Sequence, residues 1–297
     1  MQVTQVLREL AGRLVEVSES PSLDAQVLLA HILGVPRTWL LAHPDESLAV
    51  DHEMSLERAV QRLEGGEALP YVIGHWDFYG LDFTLTPDVL IPRPETELLV
   101  ERALGWLGVH PGMRQAADIG TGSGCIAVAL AAQMPDLQVL ATDLSPAALE
   151  VARINAKKHA VASRVQFFHA DLLSIQPFYH PAGLSESLNR RETFNLRPFN
   201  LITANLPYIP TARLENLEVA RREPGLALDG GADGLDCIRR LLRDAPAALA
   251  PGGLALLEID ETQGEAACKL ATISFPQAQV ILARDLAGLV RLLEIST

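Results

Sequence analysis

Apolar residues recur at helical spacing through the first 67 residues of the chain, with charged and polar residues between them. Three sets of positions each share one helix face: Leu7, Leu10, Leu14 and Val17; Leu23, Val27, Ala30 and Ile32; and Leu56, Val60 and Leu63. Gly34-Val35-Pro36 and Gly65-Gly66 supply stop signals for the second and third helices. Since helices with one apolar stripe pack into a bundle, the pattern predicts a small helical domain over residues 1–67.

The pattern changes between residues 68 and 92, where aromatic and β-branched residues are frequent. The runs Tyr71-Val72-Ile73 and Trp76-Asp77-Phe78-Tyr79 precede Gly80, and a similar run over 81–86 follows it. A single glycine between such runs predicts a β-hairpin that links the helical domain to the rest of the chain. Pro92-Arg93-Pro94 then predicts a rigid loop that presents an arginine at the start of a helix.

From about residue 115 onward, short apolar runs alternate with helical segments, which is typical of parallel strands joined by crossover helices. Seven strands are predicted, at about 115–119, 138–142, 165–168, 200–204, 253–259, 278–283 and 289–295. They form one doubly wound α/β domain over residues 93–297. Residues 174–199 lack periodicity and are rich in Pro, Asn, Arg and Ser, so we expect a surface loop there.

Composition narrows the classes of protein that this chain can be. No apolar run approaches the ~20 residues that span a bilayer, and the amino terminus lacks the pattern of a signal peptide, so we expect a globular, cytoplasmic protein. The net charge of −13 works against general binding to phosphate backbones. The three cysteines lie far apart and the eight histidines are scattered, so neither a disulfide framework nor a metal site is predicted.

The first predicted strand of the sheet ends in a glycine-rich turn, Asp118-Ile119-Gly120-Thr121-Gly122-Ser123-Gly124, and a helix follows from Cys125. Glycines at alternate positions let the backbone turn sharply and approach a ligand closely. The turn lacks both the small residue that completes the dinucleotide fingerprint and the Gly-Lys-Ser/Thr of a P-loop. It indicates nucleotide binding, although glycine-rich turns also serve tight packing of a strand against a helix.

Two further strand ends carry acidic residues suited to an adenosine group. Asp143 ends the second strand, roughly 20 residues after the first glycine, where a carboxylate can accept hydrogen bonds from both ribose hydroxyls. Asp143-Leu144-Ser145-Pro146 also fits a helix amino-terminal cap, and both roles can hold together. Asp171 and Leu172 follow the third strand, where a carboxylate and an apolar side chain suit the amino group and ring face of adenine.

The fourth predicted strand ends in Asn205-Leu206-Pro207-Tyr208, which we interpret as the catalytic site because open α/β sheets bind ligands beyond the carboxyl ends of their strands. A turn that merely ends the strand would also use Asn205 and Pro207. An NAD-dependent enzyme would need a nicotinamide pocket and an acid-base residue here. An amide side chain instead suits methyl transfer from S-adenosylmethionine to a planar nitrogen. The Asn205 side chain and the Leu206 backbone can each accept one N–H hydrogen, while Pro207 fixes the turn and Tyr208 packs against the target.

Several stretches resemble the release-factor glutamine N(5)-methyltransferases, or peptide chain release factor methyltransferases, and the resemblance runs through most of the chain. Ile91 to Glu97 is the most specific of them. The others are Leu69 to Gly74, Thr86 to Leu90, Asp118 to Cys125, Asn205 to Tyr208, Arg222 to Leu228, Gly230 to Asp236 and Asp285 to Gly288. The resemblance implies an amino-terminal helical domain, a hairpin linker over 68–92, and a Rossmann-like, S-adenosylmethionine-dependent methyltransferase domain. Because a small amino-terminal bundle in front of a larger domain often recognises a partner, we expect the helices to have a role in recognising the substrate protein. The implied substrate is the glutamine of the Gly-Gly-Gln motif in peptide chain release factors, the proteins of translation termination.

The resemblance also implies two sets of site residues. The S-adenosylmethionine site falls on Gly120, Thr121, Gly122, Ser123, Gly124, Asp143, Leu172 and Asn205, to which the strand-end argument adds Asp171. The glutamine site falls on Asn205, Leu206, Pro207 and Tyr208, with Arg93 and Glu95 on the loop that closes it. Within that site, Asn205, Pro207 and Tyr208 are the implied catalytic residues.

Leu206 departs from the family's usual Asn-Pro-Pro-Tyr, and Asn-Leu-Pro-Tyr is the spelling found in adenine dimethyltransferases that act on ribosomal RNA. Loss of the first proline predicts a looser turn. The long segment before Phe199 is a second departure. Three functions stay open: a protein glutamine methyltransferase, an adenine methyltransferase acting on RNA or DNA, and a non-catalytic module that binds S-adenosylmethionine. The whole-chain resemblance and the acidic charge favour the first and disfavour nucleic acid as the direct substrate.

Overall fold

The computed structural model describes residues 1–174 and 198–297. Apart from its ends, the loop expected over 174–199 lies outside the described residues. The amino-terminal region is helical, as predicted. Its helices are α1 (Val3–Leu14), α2 (Pro21–Leu33), α3 (Arg37–Ala42), α4 (Val50–Glu64) and α5 (Leu69–Ile73). They enclose a core of their own, to which Leu10, Leu28 and Val60 contribute.

Two of these helices differ from the sequence-based expectation. The pattern missed α3, because six residues are too few to establish a helical periodicity. Tyr71-Val72-Ile73 lies in α5 rather than in the hairpin, since Pro70 suits a first helical turn and Gly74, at φ +79°, ends the helix in the left-handed region. The division of the chain at residues 67 and 92 stays a prediction.

The hairpin consists of β1 (His75–Phe78) and β2 (Leu81–Thr84), which pair antiparallel. Tyr79 and Gly80 form its two-residue turn with φ of 52° and 70°, as the primed turns of tight hairpins require at both positions. The Tyr79 backbone N–H donates to Glu97 Oε1 at 2.7 Å. The hairpin is thereby fixed to the start of α6 (Glu97–Val109).

The rest of the chain forms a seven-stranded, mostly parallel sheet with helices on both faces, so the predicted α/β fold class is confirmed. Its strands are β3 (Gln115–Ile119), β4 (Gln138–Asp143), β5 (Val165–His169), β6 (Phe199–Ala204), β7 (Leu249–Glu258), β8 (Gln279–Arg284) and β9 (Val290–Ser296). Their order across the sheet is β5-β4-β3-β6-β7-β9-β8, and β9 runs antiparallel to both of its neighbours. Each predicted strand lies within a few residues of an observed one.

The helices around the sheet, after α6, are α7 (Cys125–Gln133), α8 (Pro146–Lys158), α9 (Thr211–Leu214), α10 (Val219–Arg222), α11 (Asp236–Ala248) and α12 (Gly264–Ser274). One face of the sheet packs against α6, α7 and α8 in a core that includes the hairpin. The other face packs against α11 and α12. Among the described helices, none is long and apolar enough to cross a membrane.

The strand order creates a switch point between β3 and β6. From β3 the chain runs outward through β4 and β5, and it then returns to β6 on the other side of β3. Ile119 pairs with Ala204, so Gly120 and Asn205 leave neighbouring strands at the same level. The glycine-rich turn and the Asn-Leu-Pro-Tyr turn therefore meet in the crevice where doubly wound sheets bind ligands.

Candidate active site

A buried carboxyl group joins the two turns beneath the crevice. Asp118, which is 1% exposed, accepts hydrogen bonds from the hydroxyls of Thr121 at 2.6 Å and Thr203 at 2.9 Å. Burial raises the pKa of Asp118 to about 6, and the two hydroxyls oppose that rise. Since Thr121 lies in the glycine-rich turn and Thr203 near the end of β6, the carboxyl group fixes the exits of both strands relative to each other.

The three glycines of the turn have different roles, although all have positive φ. A Cβ on Gly120 would lie 2.8 Å from Leu206 Cδ2, so this glycine admits the Leu206 side chain. A Cβ on Gly122 would meet no heavy atom within 4 Å, which leaves space for a ligand. A Cβ on Gly124 would lie 3.0 Å from Ala152 Cβ, so that glycine permits close packing of α8.

A cavity of about 300 Å³ occupies the switch point. Its lining includes the following residues implied for the S-adenosylmethionine site: Gly120, Thr121, Gly122, Ser123, Asp143, Asp171, Leu172 and Asn205. Its lining also includes four of the residues implied for the glutamine site, which are Asn205, Leu206, Pro207 and Arg93. Gly124, Glu95 and Tyr208 lie outside this lining. The structure thus brings together most of the residues singled out in the sequence, although they come from five separate segments.

Asp143 organises the loop that follows β4. One carboxylate oxygen accepts from the Gly122 backbone N–H at 2.8 Å, and the other accepts from the Ser145 backbone N–H at 2.8 Å. The side chain that caps α8 is that of Ser145, whose hydroxyl accepts from the Ala148 N–H at 3.2 Å. Burial raises the pKa of Asp143. Each carboxylate oxygen keeps a further lone pair with which it can accept a ligand hydroxyl.

Asp171 and Leu172 also line the cavity. Asp171 is ion-paired with Arg240 of α11, a residue that no spacing in the sequence relates to it. Leu172 has φ +55°, in the left-handed region, and its carbonyl accepts from Thr142 Oγ1 at 3.0 Å. A non-glycine residue in this region needs outside support, which the Thr142 hydroxyl supplies.

The Arg93 loop is held against the Arg222-Glu223-Pro224 segment. The Arg93 guanidinium pairs with the Glu223 carboxylate, whose second oxygen accepts from the Ile91 backbone N–H at 3.0 Å. The Glu223 side chain is only 4% exposed, so its carboxylate is shielded from water, whereas the Arg93 side chain is 33% exposed. Arg93 therefore reaches the cavity as a paired cation, whereas Glu95 is exposed on the same loop.

Leu206 is held in the turn by packing, since it is 3% exposed and lies against Gly120. The backbone that follows it is supported by a second glycine-rich turn. A Cβ on Gly230 would lie 2.8 Å from the Pro207 carbonyl, and one on Gly234 would lie 2.2 Å from the Tyr208 carbonyl. These contacts give the turn fixed neighbours where the family's usual first proline is absent.

The Asn205 side chain belongs to a buried network that the sequence motifs did not reveal. Its Nδ2 donates to Thr96 Oγ1 at 3.0 Å. The Thr96 hydroxyl also interacts with the carboxyl group of Glu258, and the Tyr208 hydroxyl lies 3.4 Å from Glu258 Oε1. Burial raises the pKa of Glu258 to about 7, against the lowering effect of both hydroxyls. Thr96 lies within Ile91 to Glu97, the stretch that most resembles the family, but nothing in the sequence pattern pointed to Glu258.

Comparison with known proteins decides the family. Residues 5–74 match the PrmC N-terminal domain, and residues 96–178 match the methyltransferase small domain. A release factor glutamine methyltransferase from Moorella thermoacetica is 43% identical over 91% of this chain and 90% of its own length. The chain belongs to the release factor glutamine methyltransferases. A second relative of the same name, from Coxiella burnetii, is 36% identical over 99% of this chain and 98% of its own length.

The fold of this family is shared with methyltransferases of distant sequence. The catalytic domain of hMettl16, solved in complex with MAT2A 3′UTR hairpin 6, gives a TM-score of 0.52 over 82% of this chain and 81% of that domain. Its sequence identity is 14%, so the likeness concerns the fold alone. The fold alone does not determine the substrate, which depends on the residues of the cavity.

Proposed function

We propose that this protein transfers a methyl group from S-adenosylmethionine to the side-chain amide nitrogen of the glutamine in the Gly-Gly-Gln motif of peptide chain release factors. The observation that carries the proposal is that Asn205, Leu206 and Pro207 line the same cavity as the glycine-rich turn. Family membership supports the choice of substrate. The reaction would belong to translation termination, in the cytoplasm.

The residues around the cavity fit S-adenosylmethionine. Gly122 leaves open space beside the backbone, and the Asp143 carboxylate retains lone pairs for the two ribose hydroxyls. Leu172 offers an apolar contact to adenine, and Asp171 keeps the carboxylate oxygen that Arg240 does not bind. When bound, the cofactor supplies a methyl group that its positive sulfonium activates for transfer to a nucleophile.

The turn after β6 suits an amide acceptor, whose nitrogen is a weak nucleophile because its lone pair is delocalised. The Asn205 side-chain oxygen and the Leu206 backbone carbonyl can accept the two N–H hydrogens, which orients the nitrogen and stabilises the positive charge that develops on it. One of these hydrogens leaves as a proton once the methyl group is bonded. In-line positioning of the reactants is worth up to roughly 7–11 kcal/mol.

The surroundings of Arg93 support a role for the amino-terminal helices in binding the release factor. Arg222, next to the Glu223 that holds Arg93, donates from Nη2 to the Val17 carbonyl at 3.2 Å. The helical region thus lies beside the loop at the cavity wall. We propose that a release factor docks across both.

An adenine acceptor on RNA is the second candidate, because Asn-Leu-Pro-Tyr also occurs in adenine dimethyltransferases. The charges at the cavity disfavour it. Both arginines in its described lining are paired, Arg93 with Glu223 and Arg240 with Asp171. Paired guanidinium groups have little attraction left for a phosphate backbone, and the chain carries a net charge of −13.

Three acceptors incubated with labelled S-adenosylmethionine test the proposal: a release factor, its Gly-Gly-Gln-to-Gly-Gly-Ala variant, and ribosomal RNA. We expect label on the intact release factor alone. Label on RNA alone would replace glutamine by adenine as the acceptor. Absence of label from all three, with S-adenosylmethionine bound in calorimetry, would leave the binding module as the function.

A further inference from the structure

Thr96 and Glu258 lie beside Asn205, and the proposed chemistry uses neither of them. Thr96 ends the single turn of 3-10 helix over Pro94–Thr96, and it is 1% exposed. Glu258 ends β7 and is 2% exposed. Ala204 pairs with Leu257 across β6 and β7, so Asn205 and Glu258 leave neighbouring strands side by side. The Thr96 hydroxyl accepts from Asn205 Nδ2 at 3.0 Å, and it lies close enough to the Glu258 carboxyl group to lower the pKa of that group.

The direction of these hydrogen bonds decides which end of the Asn205 amide faces the cavity. A threonine hydroxyl has one hydrogen to donate, and an ionised carboxylate can only accept. When Thr96 donates to Glu258, it must accept from Asn205, so Nδ2 points at Thr96 and Oδ1 points away. If Thr96 donated to Asn205 instead, the amide would turn over and present its own N–H groups to the N–H groups of the acceptor.

We infer that Glu258 is a positioning residue, which acts through the Thr96 hydroxyl to keep the Asn205 side-chain oxygen directed at the acceptor nitrogen. The inference rests on the proposed function. Within the described part of the chain, Asn205 Oδ1 has no protein donor, so it is free to accept from a substrate. The Tyr208 hydroxyl at 3.4 Å gives Glu258 a second contact with the same turn.

Burial of the Glu258 carboxyl group costs free energy, because its Oε2 is buried and no hydrogen-bond donor among the described residues bonds it. Burial raises the pKa of Glu258 to about 7, so the group changes charge within the physiological range. The titratable groups that face it are Glu95 before α6, Tyr208 after β6, Arg291 on β9 and Cys125 on α7. Only the ionised form is an obligate acceptor for Thr96.

Four variants test the inference: Glu258→Gln, Thr96→Val, Thr96→Ser and the double variant Thr96→Val/Glu258→Gln. Thr96→Val keeps the shape of the side chain without its hydroxyl, and Thr96→Ser keeps the hydroxyl. Glu258→Gln replaces an obligate acceptor by an amide that can also donate. We expect Thr96→Ser to keep kcat within about threefold, and Thr96→Val and Glu258→Gln to lower it by about 10- to 100-fold. The KM for release factor should change much less.

Two further readouts separate positioning from a structural role. The double variant should be no slower than Thr96→Val within about twofold, because both substitutions break one chain of contacts. The kcat of the unsubstituted protein should rise with pH through the titration of Glu258, and Glu258→Gln should lose that dependence. Affinity for S-adenosylhomocysteine in calorimetry should stay within about threefold in all four variants, which shows that the cofactor site is intact.

Several results would overturn the inference. They are near-unchanged kcat in Glu258→Gln or in Thr96→Val, a loss in Thr96→Ser as large as in Thr96→Val, and multiplied losses in the double variant. Should Glu258→Gln fail to fold, the pH dependence of kcat still tests Glu258, because Thr96→Val should lose that dependence whereas Thr96→Ser should keep it. An unsubstituted protein that does not methylate release factor would instead refute the proposed function, and the two failures are thereby distinguished.

Discussion

Glu258 is a carboxyl group that the folded protein keeps from water, at 2% exposure. Burial raises its pKa from 4.5 to about 7. The folded state therefore holds the proton more tightly than the unfolded state does. The stability that the protonated Glu258 carboxyl group contributes is fully present below pH 4.5 and is lost as the pH rises through about 7.

Glu258→Gln removes this titration, so the variant should gain stability relative to the unsubstituted protein as the pH rises. Between pH 5 and pH 8 we expect the difference in free energy of unfolding to shift by about 1–3 kcal/mol in favour of the variant. Urea unfolding of both proteins at the two pH values measures it. Asp118, whose pKa is also raised, is present in both proteins and cancels in the difference. If the difference in free energy of unfolding did not vary with pH, the pKa of Glu258 would not be raised in the folded protein.

Leu206 illustrates what a sequence motif omits at the scale of a residue. The motif predicted a looser turn because a proline is absent, but it carried no information on where the leucine side chain lies. That side chain packs against Gly120, 86 positions earlier in the chain, and takes the space that a Cβ would need. Such a contact depends on strand adjacency, which local pattern does not encode.

Gly120→Ala should destabilise the protein through this contact, because its Cβ would lie 2.8 Å from Leu206 Cδ2. The loss should be smaller in a Leu206→Val background, where Cδ2 is absent, whereas the φ of +72° costs the same in both. We expect a coupling energy of about 0.5–3 kcal/mol between the two positions. Gly122→Ala is the matched control, since it meets no neighbour and should be indifferent to residue 206. Additive effects at Gly120 and Leu206 would rule out the contact.

At the scale of elements, Asn155 of α8 connects the hairpin to the glycine-rich turn. Its Oδ1 accepts from the Thr84 N–H at 2.8 Å, and its Nδ2 donates to the carbonyls of Thr84 at 3.0 Å and Ser123 at 2.9 Å. The side chain is fully buried. It satisfies three backbone groups, two at Thr84 of the hairpin and one at Ser123, so the position of the hairpin and that of the glycine-rich turn are linked.

Asn155→Ala should cost about 2–4 kcal/mol in the free energy of unfolding, because it leaves buried backbone groups without partners. It should also speed hydrogen exchange at the Thr84 amide and weaken binding of S-adenosylhomocysteine. Ile154→Ala, at a half-exposed position on the same helix, is the control and should change each quantity little. Unchanged ligand affinity in a destabilised Asn155→Ala would show that the hairpin and the glycine-rich turn are independent.

Most of the helices and strands could be predicted from the sequence. The central strands β3, β4 and β6 are short, mostly buried apolar runs between turn residues, which makes them recognisable in the sequence. The edge strand β8 is partly exposed, but its apolar run was also recognised. The exceptions are short. In α3 there are too few residues for a period, and α5 has β-branched residues whose preference is overridden by Pro70 and Gly74.

At the scale of the whole molecule, the strand order brings the parts of the candidate site together. The glycine-rich turn and the Asn-Leu-Pro-Tyr turn were both recognised as strand exits, but their contact exists because β6 returns to the side of β3. The same return brings Glu258 of β7 next to Asn205. Motifs predicted most of the residues that line the cavity, whereas the buried neighbours of Asn205, Thr96 and Glu258, became visible only in three dimensions.

The charge of the whole chain predicts how it discriminates between partners. With a net charge of −13 and paired arginines at the cavity, the protein should have little affinity for RNA. A tenfold excess of unlabelled ribosomal RNA should leave the rate of release factor methylation unchanged at physiological ionic strength. Inhibition that weakens as salt is added would reveal a phosphate-binding surface and contradict this expectation.

Under the proposed function, Asn205 orients a glutamine amide beside a cofactor held mainly by other residues. Asn205→Ala tests this role, with the mass of the release factor peptide that contains the Gly-Gly-Gln motif as one readout and calorimetry with S-adenosylhomocysteine as the other. We predict that the peptide gains one methyl group with the unsubstituted protein, that the variant loses at least about 100-fold in rate, and that its ligand affinity falls by less than about tenfold. Equal losses in rate and in affinity would contradict an orienting role for Asn205.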